Sequence, residues 1–454
     1  MDQDTIVAIA TAPGAGGIGI IRLSGEQALS IGTAISGTSL QPRHAHFCAF
    51  KDSAGQILDT GICLFFPAPN SFTGEHIVEI QAHGSPVILD LIVKEACALG
   101  ARQAQPGEYS QRAYLNNKID LAQAEAIADL INSTTEQAAL NASRSLQGVF
   151  SRKIDALVSM VTNLRIFVEA AIDFPEEEID FLNNTQVETQ LQDIIDQFDV
   201  LAIEARQGSL LQEGMKLVIA GKPNAGKSSL LNALSGQDTA IVTAIEGTTR
   251  DVLREQIQID GMPLHVVDTA GLRDSDDVIE QEGIRRAWAE IESADRILLV
   301  IDDSATSTID YLSNTLLPLQ DKTSKRDIPL TIVSNKCDLS NREPGVAQQG
   351  ETPVVYVSAK TGAGVDLLKQ HLKACMGYKE SGEGRFSARR RHLHSLERAR
   401  EFLLNGQSQL LHAGAGELLA EDLRLCQQSL GEITGAVSSD ELLGAIFSSF
   451  CIGK

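Results

Sequence analysis

Residues 221–228 read GKPNAGKS, which matches the pattern G-x-x-x-x-G-K-[ST] and directly follows an apolar run typical of a strand. In such a loop, backbone N–H groups at the start of a helix surround phosphate groups, and a lysine reaches the β- and γ-phosphates. Lys227 is the predicted phosphate-binding lysine, and Ser228 is the predicted Mg²⁺ ligand. A Gly-rich turn could produce this string by chance, but the strand before it and the helix after it favour a nucleotide site.

Three further motifs follow in the order expected of a GTP-binding domain: DTAG at 268–271, NKCD at 335–338 and SAK at 358–360. Asp268 is predicted to hold Mg²⁺ through water, and the Gly271 amide is predicted to meet the γ-phosphate. The Asp338 carboxylate can accept two hydrogen bonds from N1–H and the 2-amino group of guanine. Adenine lacks this donor pair and would leave a buried carboxylate unpaired. The four motifs together predict GTP as the nucleotide.

The hydrolytic part of this site departs from the Ras pattern. Leu272 follows DTAG, and its side chain cannot orient water as the Ras glutamine does. Acidic residues downstream are candidate replacements, although most of such a run is expected to be solvated loop: Asp274, Asp276, Asp277, Glu280 and Glu282. Asn224 is either a turn former or a ligand of a monovalent cation, which would supply the positive charge of an arginine finger.

The composition argues against several classes of protein. The chain has 454 residues, a formal net charge of −22 and a hydrophobic content of 43%. These values argue against a general nucleic-acid coat and predict about two to four packed domains. Its seven cysteines form no C-x-x-C pair, so we expect a reducing, cytoplasmic setting. We find no secretion signal and no apolar run near the roughly 20 residues that span a bilayer.

The predicted secondary structure changes along the chain. Residues 1–118 mix β-rich runs with helices, and GAGGIG at 14–19 formally fits a dinucleotide fingerprint. Because β-like IIRLSG follows instead of a helix, the glycines predict a turn between two strands. Residues 119–213 are helical, and STTE at 133–136 predicts a capping box before one long helix.

Residues 214–377 alternate apolar strands with helices, which predicts a parallel sheet. A linker and a second helical stretch follow over residues 378–454. We infer that the α/β domain is inserted into one helical domain; two separate helical domains are the alternative. The arginines of RFSARRRH at 385–392 either contact an RNA backbone or begin a helix that contacts the acidic stretch 173–206, and the second interpretation is preferred.

The whole chain resembles the bacterial tRNA-modification GTPase family MnmE, also called TrmE. The motifs that carry the resemblance are PGAGGIGIIRLSG, NSFTGEHIVEIQAHGSP, KIDLAQAEAIADLI, IDFPEE, GKPNAGKSSLLNAL, EGTTRD, DTAGLR and the terminal CIGK. The resemblance implies a multidomain α/β and α protein. Its parts would be an N-terminal α+β tetrahydrofolate-binding and dimerisation domain, a discontinuous helical domain and an inserted Ras-like P-loop G domain.

The resemblance also implies a function. A member of this family acts in the cytoplasm as a homodimer and joins a flavoprotein, MnmG (GidA), in a heterotetramer. Together they add an aminomethyl or carboxymethylaminomethyl group to C5 of the wobble uridine, position 34, of certain tRNAs. A tetrahydrofolate derivative supplies the one-carbon unit, and GTP hydrolysis requires K⁺ and pairing of the two G domains.

The same resemblance assigns residues to each role. Glu280 becomes the catalytic glutamate, with Glu282 its rival if the loop register slips. Thr249 joins Ser228 on Mg²⁺, and the K⁺ ligands are Asn224, Thr243, Ile245 and Thr248. The folate ligands are Arg22, Glu79, Lys118 and Lys454. The GTP-binding set comprises Asn224, Ala225, Gly226, Lys227, Ser228, Ser229, Thr243, Ala244, Ile245, Glu246, Gly247, Thr248, Thr249, Asp268, Thr269, Ala270, Gly271, Asn335, Lys336, Asp338, Ser358, Ala359 and Lys360.

Cys451 lies three residues before Lys454, in SSFCIGK, and two interpretations of it stay open. It is a thiol nucleophile near the one-carbon site, or it anchors the tail by packing.

Two other functions are alternatives for the whole chain. A ribosome-assembly GTPase without its own chemistry would predict a KH module and a basic surface, and a membrane-transport GTPase would predict transmembrane segments.

Overall fold

The computed structural model describes residues 4–173, 185–222, 224–235, 254–259, 262–268, 294–304, 328–350, 352–375, 386–413, 415–437 and 440–453. The chain divides into two compact units. The first comprises Met1–Ala128, Ser145–Phe198 and His394–Lys454, and the second comprises Asp129–Arg144 and Asp199–Leu393. Each unit contains one β-sheet with an apolar core.

Six strands form the sheet of the first unit: β1 (Ile6–Ile9), β2 (Gly16–Ser24), β3 (His46–Lys51), β4 (Ile57–Phe66), β5 (Ile77–Gly84) and β6 (Arg102–Gln103). Their order is β3-β4-β5-β2-β1-β6, and every neighbouring pair is antiparallel except β1 with β6. Helices Ala28–Ser36 and Pro86–Ala98 pack on this sheet, and a third helix spans Glu108–Leu115. The turn of the β1–β2 hairpin contains Gly14, whereas Gly16, Gly17 and Gly19 lie on β2, so the predicted turn between two strands is confirmed but only its first glycine belongs to it.

Further helices among the described residues are Leu121–Asn132, Glu136–Leu146, Val149–Asp173, Thr185–Glu213, Arg390–Ala413, Gly416–Thr434 and Asp440–Ser448. The predicted capping box is wrong in detail: the Thr135 hydroxyl accepts from the Ala138 N–H at 3.1 Å, whereas Ser133 donates back to the Leu130 carbonyl. The single long helix expected after it is two helices. Gly148, with φ of +79°, separates them in a conformation that glycine adopts at little cost.

Helix Val149–Asp173 packs along helix Gly416–Thr434. The first helix buries Phe150, Ile154, Leu157, Val161, Leu164 and Val168, and the second buries Leu419, Leu423, Cys426, Leu430 and Ile433. Both sets advance by alternating steps of three and four, the spacing of a coiled-coil seam. The buried stripe of each helix is therefore the face that packs against the other helix.

Seven strands form the sheet of the second unit: β7 (Met215–Ala220), β8 (Arg254–Ile259), β9 (Met262–Asp268), β10 (Arg296–Asp302), β11 (Leu330–Asn335), β12 (Gly345–Gln349) and β13 (Thr352–Tyr356). Their order is β12-β13-β11-β10-β7-β9-β8. The five predicted strands β7, β9, β10, β11 and β13 are mutually parallel, as expected. The edge strands β8 and β12, which the sequence did not predict, are antiparallel to their neighbours. Helices Lys227–Ser235, Cys337–Ser340 and Val365–Cys375 belong to this unit.

The arginine-rich segment joins this unit through ion pairs. The Arg389 guanidinium donates from Nη2 to Oδ1 of the buried Asp129 carboxylate at 2.6 Å, and Arg390 lies 3.5 Å from Asp295. Its helix begins at Arg390, which confirms a helix start. Asp129 and Asp295 lie outside the acidic stretch 173–206, so the preferred interpretation did not predict these two ion pairs.

The described residues include all seven cysteines, which are free thiols. No described helix combines the length and apolar character needed to cross a membrane. Within the same residues, His, Cys, Asp and Glu side chains form no group of three or more suited to hold a metal ion.

Candidate active site

The P-loop connects β7 to helix Lys227–Ser235 at the carboxyl edge of the parallel sheet. β9 runs parallel to β7 and ends at Asp268, whose backbone lies beside Ile219. The start of DTAG therefore meets the P-loop from the neighbouring strand. Asn224 has φ of +66°, and Asn224, Ser228 and Ser229 are exposed. A helix N-terminus with exposed hydroxyls and free N–H groups suits a phosphate chain and its cation.

The ammonium group of Lys227 lies over the loop itself. Its Nζ donates to the Gly221 carbonyl at 2.9 Å and to the Lys222 carbonyl at 3.2 Å. These contacts hold the positive charge at the place where the sequence predicts the β- and γ-phosphates. A phosphate oxygen would compete with the two carbonyls for this donor, and its bond is the stronger one because both donor and acceptor carry charge.

The Asn335 side chain joins the three loops that carry the nucleotide motifs. It is 2% exposed. Its Nδ2 donates to the Ala225 carbonyl of the P-loop at 2.9 Å. Its Oδ1 accepts from the backbone N–H of Lys336 at 2.9 Å and from that of Ala359 at 3.0 Å. One amide group therefore fixes the phosphate loop, NKCD and SAK relative to one another.

The guanine motifs NKCD and SAK follow two neighbouring parallel strands, β11 and β13. Asp338 and Lys360 are exposed, whereas Ser358 is fully buried and its Oγ accepts from the Thr361 N–H at 3.3 Å. The Ser358 N–H donates to the Ala363 carbonyl at 2.8 Å, which closes the SAK turn. The Asp338 carboxylate is thus available to a base, and the loop beside it is rigidly held.

Two aspartates at the end of β10 belong to this site and escaped the sequence analysis. Lys336 pairs through Nζ with Asp302 Oδ2 at 2.6 Å. Burial raises the pKa of Asp302, but hydrogen bonds from Lys336 and Ser304 outweigh it and hold that pKa below its ordinary value. Asp303 accepts from Ser334 Oγ at 2.7 Å. The sequence signal for these two aspartates is the pair Asp302-Asp303 at the end of an apolar strand, next to the strand that leads into NKCD.

Many of the predicted residues lie outside the described residues, so their placement stays a prediction. Only the backbone of Asp268 is described. The predicted site residues that lie wholly outside the described residues are Thr243, Ala244, Ile245, Glu246, Gly247, Thr248, Thr249, Thr269, Ala270, Gly271, Glu280, Glu282 and Lys454. The acidic candidates Asp274, Asp276 and Asp277 and the Leu272 position share this status.

A second cluster in the first unit contains two of the predicted folate ligands. Arg22 on β2 and Glu79 on β5 are directly opposed in the sheet register, and the Arg22 Nη2 lies 2.8 Å from Glu79 Oε1. The Arg22 guanidinium lies 5.8 Å from the ring centroids of both Phe72 and Tyr109. The structure thus brings Arg22 and Glu79 together, with the Arg22 guanidinium close to two aromatic rings.

Lys118 occupies a different setting. It is exposed, and its Nζ donates to the Pro69 carbonyl at 3.0 Å. It also lines an open cavity of about 470 Å³ with Asp120, Asp155 and Gly435, and the described lining does not include Arg22 or Glu79. Lys118 therefore does not share this cavity with the other two folate candidates.

The tail that carries Cys451 is anchored to the first unit. The Cys451 carbonyl accepts from the Gly107 N–H at 3.3 Å, and its side chain is exposed. The Phe447 and Phe450 rings pack at a centroid distance of 5.6 Å and belong to a buried cluster with Leu121. The neighbours of Cys451 thus supply the anchor, and its thiol stays open to solvent.

Comparison with known proteins gives two matching family models. The model described as GTP-binding protein TrmE N-terminus covers residues 5–118, and the model described as MnmE helical domain covers residues 121–451. A curated relative, the tRNA modification GTPase MnmE of Marinobacter nauticus, is 58% identical over 453 residues, 99% of each chain. The chain belongs to the MnmE family. This confirms the resemblance. The two family models and the P-loop sheet also agree with the predicted N-terminal, helical and G-domain fold classes.

Solved structures of other GTP-binding proteins match in part. The G domain of the FeoB iron transporter of T. maritima is 23% identical, covers 36% of this chain and 98% of that chain, and has a TM-score of 0.27. An Era variant of Aquifex aeolicus bound to GDP.AlF4- is 25% identical, covers 42% of this chain and 66% of that chain, and has a TM-score of 0.26. TM-scores this low support no conclusion about the MnmE-family chain.

Replacing Gly226 should weaken nucleotide binding. In Gly226→Ala the new Cβ would lie 2.2 Å from Asn335 Nδ2, at a backbone φ of +90°. We expect a loss of about tenfold or more in GTP affinity, measured by titration with a fluorescent GTP analogue, because the collision displaces the amide that joins the loops. Gly350→Ala is the matched control: its φ is +63° with nothing within 4 Å of the added Cβ. Equal affinities for both variants and the unaltered chain would contradict this role of Gly226.

Proposed function

We propose that the chain hydrolyses GTP as a component of the system that modifies C5 of the tRNA wobble uridine at position 34. The added group is aminomethyl or carboxymethylaminomethyl, and the partner is the flavoprotein MnmG (GidA) in a heterotetramer. The observation that carries the GTP part is the Asn335 amide, which gathers the P-loop, NKCD and SAK into one site. Support for the tRNA part is the family relationship, since the curated relative is named a tRNA modification GTPase.

GTP and its cation fit the residues at the carboxyl edge of the sheet. Lys227 would hold the β- and γ-phosphates, and the exposed Asp338 would select guanine. Ser228 and Thr249 would hold Mg²⁺ through hydroxyl oxygens, which are the hard donors that this ion prefers. When bound, the ion neutralises charge that develops on the phosphates. The chain's own part is to orient the phosphates along the N-terminus of helix Lys227–Ser235.

Water activation is assigned to Glu280, because Leu272 replaces the Ras glutamine. A K⁺ ion held by Asn224, Thr243, Ile245 and Thr248 would supply the charge of an arginine finger. Asn224 is exposed, so its side-chain oxygen is accessible to such an ion, and its φ of +66° marks a turn of the loop at that residue. Pairing of two G domains would complete the site in a homodimer.

A tetrahydrofolate one-carbon derivative is assigned to the first unit through Arg22, Glu79, Lys118 and Lys454. The Arg22 guanidinium near the Phe72 and Tyr109 rings offers a cation beside aromatic surface, which suits a ligand with both carboxylates and a flat ring. Cys451 near this site is a candidate nucleophile, and packing of the tail is its other interpretation. The proposed place of action is the cytoplasm. The chain is proposed to dimerise through residues 1–118. Its G domain is proposed to span residues 214–377.

Replacing Glu280 should separate hydrolysis from binding. Glu280→Ala is expected to slow GTP turnover by about 100-fold or more, since general base or water-orienting groups contribute on this scale, while GTP affinity stays within twofold. Turnover is measured by phosphate release in matched K⁺ and Na⁺ salts, and the unaltered chain should be faster in K⁺. Glu282→Ala is the control for the loop register. A tenfold loss of affinity in Glu280→Ala would refute a purely catalytic role, and equal rates in both salts would remove the K⁺ site.

The tRNA function is tested by nucleoside analysis of tRNA from cells that lack this chain. We expect loss of the C5-substituted wobble uridine, restored by the unaltered gene and not by a Gly226→Ala copy. Immunoblotting checks that both copies are expressed at equal levels. Unchanged levels of the modified uridine in the deleted cells would reject the proposal in favour of an RNA-binding GTPase without its own chemistry.

A further inference from the structure

Residues 67–76 connect β4 to β5, and this connecting loop contacts both described cationic folate candidates. Phe72 places its ring 5.8 Å from the Arg22 guanidinium, and the Pro69 carbonyl accepts from Lys118 Nζ at 3.0 Å. Arg22 and Lys118 come from separate parts of the chain, β2 and the segment after helix Glu108–Leu115. The position of the connecting loop therefore affects both cations at once.

Side chains from outside the connecting loop hold its backbone carbonyls. Arg43 Nη2 donates to the Asn70 carbonyl at 2.5 Å, and Asn116 Nδ2 donates to the Thr73 carbonyl at 2.7 Å. A loop without regular structure leaves carbonyls that need such partners. These contacts restrict where Pro69 and Phe72 can lie.

Glu75 and Thr73 fix the inner end of the connecting loop. The Thr73 side chain is fully buried, and its Oγ1 lies 2.7 Å from Ser24 Oγ and accepts from the Glu75 N–H at 3.2 Å. The Ser24 hydroxyl donates to Glu75 Oε2 at 2.7 Å. Ser24 lies two residues after Arg22 on β2. The connecting loop is thus tied to the same strand that carries the proposed folate arginine.

The Glu75 carboxylate is itself held by Arg112, whose Nη1 lies 3.1 Å from Glu75 Oε2. Arg112 also donates to Asp4 Oδ1 at 2.7 Å and to Glu108 Oε1 at 3.0 Å. Its side chain is 11% exposed, so its charge needs these carboxylates as partners. Arg102 binds Asp4 and Glu108 at the far end of the same network. These Arg102 partners, and the Gln103 carbonyl that it also binds, lie outside the connecting loop.

We propose that Glu75 and Thr73 are positioning residues of the folate site: they hold the connecting loop so that Phe72 and the Pro69 carbonyl place the Arg22 and Lys118 cations for the ligand. This inference rests on the proposed folate site. Neither residue needs to touch the ligand. Their effect passes through the geometry of the connecting loop, so it should alter folate binding while nucleotide binding in the second unit stays unchanged.

The test is calorimetric titration of the full chain with 5-formyltetrahydrofolate, a stable tetrahydrofolate derivative, together with thermal unfolding and GTP titration. Glu75→Gln and Thr73→Val should each raise the Kd for this probe by about tenfold, the scale of one lost charge-assisted or buried hydrogen bond. Thr73→Ser keeps the hydroxyl and should bind within about threefold of the unaltered chain. GTP affinity should not change in any of them.

Arg102→Gln is the matched control, because it breaks ion pairs of the same network without touching the connecting loop. It should lower Tm as Glu75→Gln does and leave the folate Kd unchanged. If folate affinity falls in Arg102→Gln as much as in Glu75→Gln, the network has only a structural role and the inference is overturned.

Arg22→Ala separates this inference from the proposed site. Loss of probe binding in Arg22→Ala with normal binding in both Glu75→Gln and Thr73→Val overturns the positioning role alone. Normal binding in Arg22→Ala overturns the folate site and the positioning role together. If Glu75→Gln does not fold, Thr73→Val and Thr73→Ser decide the question as a pair, because they differ chiefly by one hydroxyl.

Discussion

The nucleotide site depends on one buried amide group. Asn335 reaches three backbone groups on three loops that are more than 100 residues apart at the extremes, Ala225 and Ala359. A buried amide that lost any of these partners would leave donors and acceptors unsatisfied at about 1–3 kcal/mol each. The parallel sheet brings these loops to one edge, and the amide then sets their spacing. Phosphate binding and guanine selection are thus parts of one arrangement.

In the first unit, a network of ion pairs holds separate segments of the chain together. Asp4 and Glu108 lie against Arg102 and Arg112, and a hydrogen bond from Arg102 lowers the pKa of Asp4. Burial alone would raise the pKa of Glu108, but hydrogen bonds from Arg102 and from the Gln105 N–H hold it below its ordinary value. The carboxylates therefore stay ionised at neutral pH and keep the arginines paired. The same network extends through Glu75 to the loop beside Arg22.

Local motifs could be predicted from the sequence because each depends on neighbouring residues. The five parallel strands are continuous apolar runs, and the P-loop glycine is required where φ is positive. β8 and β12 were missed because REQIQI and GVAQQ lack such runs and rely on edge pairing for their structure. Thr135 rather than Ser133 caps its helix, two residues later than the motif indicated.

Contacts between distant segments could not be predicted in this way. The pairing of Arg389 with Asp129, and of Lys336 with Asp302, joins residues whose separation in sequence carries no periodic signal. The family relationship supplied the candidate folate residues, but only the sheet register reveals that Arg22 and Glu79 are opposed. The family relationship also gave no indication that Lys118 lines an open cavity whose described lining does not include Arg22 or Glu79.

The most direct test of the account is the nucleotide affinity of Asn335→Ala, measured by titration with fluorescent GDP and GTP analogues on protein whose thermal unfolding shows a folded second unit. Loss of three buried hydrogen bonds should weaken both nucleotides by about 100-fold or more, since each 1.4 kcal/mol corresponds to a tenfold change. Affinities within threefold of the unaltered chain for both nucleotides would contradict the claim that this amide assembles the site.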